Sequence, residues 1–319
     1  MSKPWPDLPY ESWKDTCATL HRYTQIVGKI QMALTPTQNH YWNVALRPSA
    51  RGFRTGPMPA DGPAGGRFFD LAFDFIDHEL FARTSEGEIR SLALQPRSVA
   101  AFFSHLSRML ESLRIAVTID DRPSEIAVDA IPFSQDEMHA SYDPEAANRW
   151  WKIVLQTASV MEEFRGRFVG KASPALFYWG AFDLASSRYS GRRAPPRSDA
   201  DSILEEGMSH EDISFGVWPG NDELGGPVFY SYTAPPPSGI ETATVEPVEA
   251  YYDTKLGEFL LPYTAVSRSD DPRKTLLRFF QSTYEAGAQL AGWDRQALER
   301  EFRSVPWTTG RPYDAPMIH

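Results

Sequence analysis

Cysteine is almost absent from this 319-residue chain: Cys17 is the single example. No disulfide can form within the chain, and neither a thiolate zinc site nor a CxxC redox pair is available. Basic residues are in deficit too. Lys and Arg number 32 against 42 Asp and Glu, a formal charge of −10, so electrostatic attraction to nucleic acid is not expected. No apolar run approaches the roughly 20 residues that a membrane-spanning helix needs. The opening Met1-Ser2-Lys3-Pro4-Trp5-Pro6 lacks the apolar core of a secretory leader. The expectation is a cytoplasmic protein of bacterial type. Three chemical signatures are also missing. Without GxGxxG, a P-loop or GxSxG, the chain shows no dinucleotide, phosphate-loop or nucleophile-elbow motif, and no motif calls for a cofactor.

Hydrophobic residues at 42% and charged ones at 23% describe a chain able to build a packed core. Trp13, Cys17, Leu20, Thr24, Val27, Ile30 and Leu34 recur at helical steps and predict a helix over 10–34, ending near Pro36. The run 40–46 reads as a strand. In 68–76, Phe69, Leu71, Phe73 and Phe75 alternate with polar positions, a half-buried strand. Segments 79–84 and 88–94 read as a hairpin about Ser85-Glu86-Gly87. A helix follows Pro96, and 115–120 is a further strand candidate. After a polar connector, Trp150, Val154, Thr157, Met161, Phe164 and Phe168 predict a second long helix, started at Asp143-Pro144. Strands are expected at 176–184, 227–233, 249–254 and 258–262. A helix is expected from Pro272, and a short one from Asp294.

The order of elements repeats, and small anchors repeat with it. Val27-Gly28-Lys29 matches Val169-Gly170-Lys171, and Tyr41-Trp42 matches Tyr178-Trp179. Gly65-Gly66 matches Gly225-Gly226, Gly87-Glu88 matches Gly257-Glu258, and Phe102-Phe103 matches Phe279-Phe280. The expected fold is α+β, an internal duplication of a helix–antiparallel sheet–helix unit packed as one pseudo-symmetric whole. Residues 1–122 form the first repeat, 123–143 a connector, and 144–319 the second repeat with a long loop insertion at 190–224.

Charge is segregated along the chain. Between 165 and 197 seven basic residues face one acid, Asp183, and eight acidic residues follow in 199–223 without a Lys or Arg. Arginine forks suit carboxylate or phosphate groups. The expectation is therefore a small anionic ligand in a cleft between the halves, with the acidic segment as a lid. Arg188, Arg192, Arg193 and Lys171 would hold the anion, and Trp42, Trp179, His40 and Tyr142 would line the site. Asp183, in an apolar strand, would share a face with Phe177, Trp179 and Ala181, where its carboxyl needs a partner or a raised pKa. His139, Asp183 and His210 are the acid–base candidates. No HExxH spacing marks a metal site. Each candidate has a bland counterpart: solvated loops for the charge blocks, a buried ion pair with Arg188 for Asp183, helix capping for Asp143. A non-catalytic protein-interaction module is the alternative reading.

Several strings resemble a known family. They are Trp5-Pro-Asp-Leu-Pro-Tyr-Glu-Ser-Trp-Lys-Asp-Thr16, Leu20-His21, Thr24-Gln-Ile-Val-Gly-Lys29 and Phe73-Asp-Phe-Ile-Asp-His78. His139-Ala-Ser-Tyr-Asp-Pro-Glu145, Ser190-Gly-Arg-Arg-Ala-Pro-Pro196, Tyr284-Glu-Ala286 and Ala291-Gly-Trp-Asp294 complete the set. The chain is similar over nearly its whole length to the uncharacterised bacterial family with domain of unknown function 5996. That resemblance implies no activity, ligand or catalytic residue. The family pattern places a second His after His40, where this chain has Asn43, and this speaks against a metal on that segment.

Overall fold

The computed structural model describes residues 4–62, 65–126, 130–196 and 202–300. After a 3-10 turn at Tyr10–Ser12, helix α1 runs Lys14–Leu34. Short strands β1 (Arg47–Pro48), β2 (Phe53–Arg54) and β3 (Met58–Pro59) lead to β4 (Phe68–Asp74), β5 (Glu79–Thr84) and β6 (Ile89–Ala93). They form an antiparallel sheet in the order β1-β2-β4-β5-β6, with β3 beside β4. Helix α2 (Val99–Ser112) closes this half, its first turn capped by the Ser98 hydroxyl accepting from the Ala101 amide at 3.2 Å.

Helix α3 (Pro144–Arg165) starts where Asp143 caps the Glu145 and Ala146 amides. Strands β7 (Leu176–Tyr178) and β8 (Asp183–Arg193), helix α4 (Ser202–Gly207), β9 (His210–Trp218), β10 (Val228–Ala234), β11 (Tyr251–Asp253) and β12 (Glu258–Pro262) follow. Helices α5 (Tyr263–Ser267), α6 (Pro272–Leu290) and α7 (Arg295–Leu298) end the described chain. The second sheet is antiparallel in the order β11-β12-β10-β9-β8-β7. The α+β class with two antiparallel sheets stands.

Four expectations are corrected. The run 40–46 is a turn, not a strand. His40 and Tyr41 sit at φ 55° and 53°, left-handed values that extended backbone cannot include, and Leu46 alone reaches a strand partner, Phe177. The run 176–184 is two strands broken by a turn at Trp179–Phe182, with Phe182 at φ 61°. The supposed insertion at 190–224 holds the end of β8, α4 and all of β9, which lies inside the sheet between β8 and β10. Segment 115–120 carries no strand. Of the paired anchors, the last three fall on like elements, whereas Val27-Gly28 is helical and Val169-Gly170 is not.

Helix α1 joins the halves. Its apolar stripe enters the core, and its polar face is buried too, so each polar group there needs a partner. Arg22 meets Asp136 at 3.2 Å, Lys29 meets Asp120 at 3.1 Å, and Gln25 donates to the Ser124 carbonyl at 2.7 Å. His21 contacts the Gly180 carbonyl at 2.8 Å. Gly28 lets the helix approach the second half: a Cβ there would stand 2.2 Å from the Trp179 ring.

Candidate functional site

Alternation gives the second sheet two unlike faces. Leu184 and Arg188 of β8, Ile213, Phe215 and Val217 of β9, and Phe229 of β10 share one of them. This face packs under α3 and α6, where Phe164 stands 4.9 Å from Phe215 and Phe215 stands 5.5 Å from Phe280. The other face carries Asp183, Ala185, Ser187 and Tyr189, then Asp212, Ser214 and Gly216, then Tyr230 and Tyr232. The register sets Tyr189 against Asp212, Ser187 against Ser214, and Tyr230 against Gly216.

This polar face is the floor of a cavity of about 560 Å³. Met32, His40, Tyr41 and Val44 from the first half, Ser124 and Glu125 from the connector, and Trp179, Gly207 and Met208 form its walls. A neighbouring pocket of about 310 Å³ shares Asp183, Tyr230 and Tyr232 and adds Glu258. Gly216 makes the floor possible, since a Cβ there would lie 2.1 Å from the Tyr230 ring. Tyr230 thus crosses β9 and donates its hydroxyl to Asp183.

The floor is rich in neutralisable acids. Burial pushes the Asp183 carboxyl up to about 7, the Tyr230 hydroxyl opposing it and the Glu125 charge adding to it. Burial likewise raises Asp212 to about 7. Glu258 reaches about 7 through burial and then the charges of Asp183 and Asp253. Ser214 donates to Asp212 Oδ2 at 2.6 Å and lies 2.6 Å from the Ser187 hydroxyl. Asp212 Oδ1 is buried without a hydrogen-bond partner among the described residues. Six residues of strand separate the levels of Asp183 and Asp212, roughly 20 Å of backbone, so the two carboxyls belong to different ends of the floor.

At one wall, His40 Nδ1 donates to the Gly207 carbonyl at 3.0 Å, leaving Nε2 to accept from Lys171 Nζ at 2.6 Å. A carbonyl only accepts, so this tautomer follows from the contacts. Burial lowers His40, and the Lys171 charge adds to this, which keeps the ring neutral beside the ammonium; burial also lowers Lys171, opposed by the charge of Glu206. The His40 ring stacks on Tyr189 at 4.3 Å and meets His210 edge-on at 5.6 Å.

The remaining sequence candidates lie elsewhere. His139 bonds Asp136 at 2.8 Å and does not line the cavity, so His139, Asp183 and His210 do not meet in it. Arg188 faces the helices, 3.5 Å from the Phe164 ring centroid and 4.4 Å from that of Tyr284, and burial lowers it to about 9. It is on the face opposite Asp183 and makes no ion pair with it. Arg192 holds Glu211 at 2.6 Å and the carbonyls of Ala291 and Gly292 beyond the end of α6. Arg193 sits exposed opposite His210. Tyr142 bonds His78 at 2.9 Å, and Trp42 lies 5.5 Å from Lys171 Nζ. Arg197 and part of the acidic segment, 199–201, lie outside the described residues. Asp212, Ser187, Ser214, Tyr178, Tyr230, Tyr232 and Glu258 are not among the site candidates that the sequence offers, although Asp212 belongs to its acidic segment and Tyr178 and Glu258 to its repeated anchors. Their signal was the alternation Asp212-Ile-Ser-Phe-Gly-Val217 and Phe229-Tyr-Ser-Tyr232, masked by the acidic composition around it.

Among the described residues, no three His, Cys, Asp or Glu side chains converge to hold a metal, and no helix is long and apolar enough to cross a membrane. A sequence profile of a family of unknown function, DUF5996, matches residues 5–300. The chain belongs to this family. Searches of curated proteins and of solved structures return no match, so for this DUF5996 member the cavity is the ground for a functional reading.

Proposed function

We propose that this protein binds a small polar molecule in the cavity on the tyrosine face of its second sheet. The observation that carries the reading is an open volume of about 560 Å³ floored by two buried carboxyls, Asp183 and Asp212. Pockets of this size with a few convergent polar groups and shifted pKa values are the usual form of a small-molecule site. Residues of both halves line it, which fits a cleft at the junction of two related units. The recurring order of helix, antiparallel sheet and closing helix supports the duplication. A cytoplasmic setting accords with one cysteine, Cys17, held as a buried thiol.

An anionic group on the ligand is a second reading, favoured by the Lys171 ammonium beside His40 at the cavity wall. The test is a fragment library screened by ligand-observed NMR against the wild type and Ala185→Phe, which fills the floor. Fragments that bind the first and not the folded second support the reading. Equal binding to both overturns it.

A further inference from the structure

We infer that the Asp212 end of the cavity is a site for an organic ammonium group, the carboxylate meeting the charge and tyrosine rings surrounding it. The inference rests on the cavity reading above and names the chemistry of its ligand.

Asp212 is 3% exposed and is one of the residues that line the cavity, and its buried Oδ1 has no hydrogen-bond partner among the described residues. A buried carboxylate oxygen without a donor is costly, and a ligand that brings one removes the cost. Ser214 occupies only Oδ2. Around the carboxyl stand aromatic and hydroxyl groups: Tyr189 is its register partner on β8, while Tyr178 and Tyr232 line the same cavity from β7 and β10. Burial first, and then the charge of Asp212, raises the hydroxyls of Tyr189 and Tyr232, so both rings lie within electrostatic reach of the carboxyl. The nearby basic side chains, His40 and Lys171, bond to each other, and neither forms an ion pair with Asp212. One carboxylate amid tyrosine rings is the arrangement that recognises ammonium and methylated ammonium groups. A hard metal ion would need several oxygen or nitrogen ligands together, and no such group exists among the described residues.

Binding of a fixed cation requires the ionised carboxyl, so it must release the proton that Asp212 carries below about 7. Tyr189 faces Asp212 across β8, Ser187 and Ser214 stand beside it, and Tyr178 and Tyr232 lie within its electrostatic reach, all with hydroxyls that stay protonated at neutral pH; His210 precedes it by two residues on β9, against the His40 ring that Lys171 bonds.

The experiment uses choline and 3,3-dimethylbutan-1-ol, which share a shape and differ by the charge. Both are titrated into the full chain by calorimetry at pH 6 and pH 8. Choline is expected to bind at least about 10-fold more tightly than the alcohol, and about 10-fold more tightly at pH 8 than at pH 6, the change in ionised fraction for a group titrating near 7. Asp212→Asn should abolish both differences. Tyr232→Leu, which leaves the carboxyl in place, should weaken choline several-fold. Equal affinity for the two probes, undiminished binding to folded Asp212→Asn, or no choline binding at millimolar concentration overturns the ammonium site. The fragment screen decides the cavity reading separately: fragments lost on Ala185→Phe leave it standing when choline fails.

Discussion

At the scale of the residue, the second sheet stores protons. Asp212 titrates near 7 in the fold and near 4 in an unfolded chain. Between those values the folded state holds more protons than the unfolded state, so this group's contribution to stability falls as pH rises from about 4 to about 7 and is level above. His21 runs the other way. Burial lowers it to about 4, so its contribution is full above its ordinary value and is lost as pH falls toward 4. Comparing wild type with Asp212→Asn cancels the histidine. The variant should gain stability relative to wild type between pH 5 and pH 8, read as urea midpoints. Parallel curves at the two pH values would refute the buried titration.

At the scale of the element, β9 is where sequence and structure part. Eight acidic residues in 199–223, Glu211 and Asp212 of β9 among them, make the segment read as a solvated loop, yet Ile213, Phe215 and Val217 are fully or almost fully buried. Phe215→Ala should therefore cost about 3–5 kcal/mol by chemical denaturation, the range for a buried aromatic. A loop position would cost less than about 0.5 kcal/mol. The long helices were plain in the sequence because their apolar positions recur over five or more turns, with Asp143 and Asp271 capping the first turns of α3 and α6. Asp143→Ala is expected to cost about 1 kcal/mol in the same measurement. The hairpin at Gly87, at φ 86°, was equally plain, since glycine meets that backbone without strain. The turn at His40 was not, because histidine and tyrosine rarely adopt left-handed values and local pattern gives no warning of it.

At the scale of the whole molecule, one core crosses the junction of the halves. Phe53 stacks on Phe177 at 4.1 Å, and Trp13 lies 5.8 Å from Trp150. The buried polar face of α1 adds bonds to the connector and to Gly180. With so much shared burial the halves should unfold together. Near-UV dichroism and tryptophan fluorescence are expected to report one coincident thermal transition; two separated transitions would show independent halves. The cavity depends on the same junction, because its floor belongs to the second sheet and part of its wall to the chain between α1 and β1.

What the sequence by itself determined was the α+β class, most of the helices and strands, and that a CxxC pair and a P-loop motif are lacking. Periodicity and capping are local, and local spacing is what a sequence displays. It also placed Asp183 as a carboxyl under strain, since an acid in an apolar run must be paired or neutralised. Only the tertiary structure decided which charges meet. It turned Arg188 toward aromatic rings, gave Arg192 to Glu211 and the carbonyls beyond α6, and brought Asp212 beneath tyrosines from three other strands. The pairing of strands distant in sequence sets those neighbours, and neither composition nor charge order encodes them.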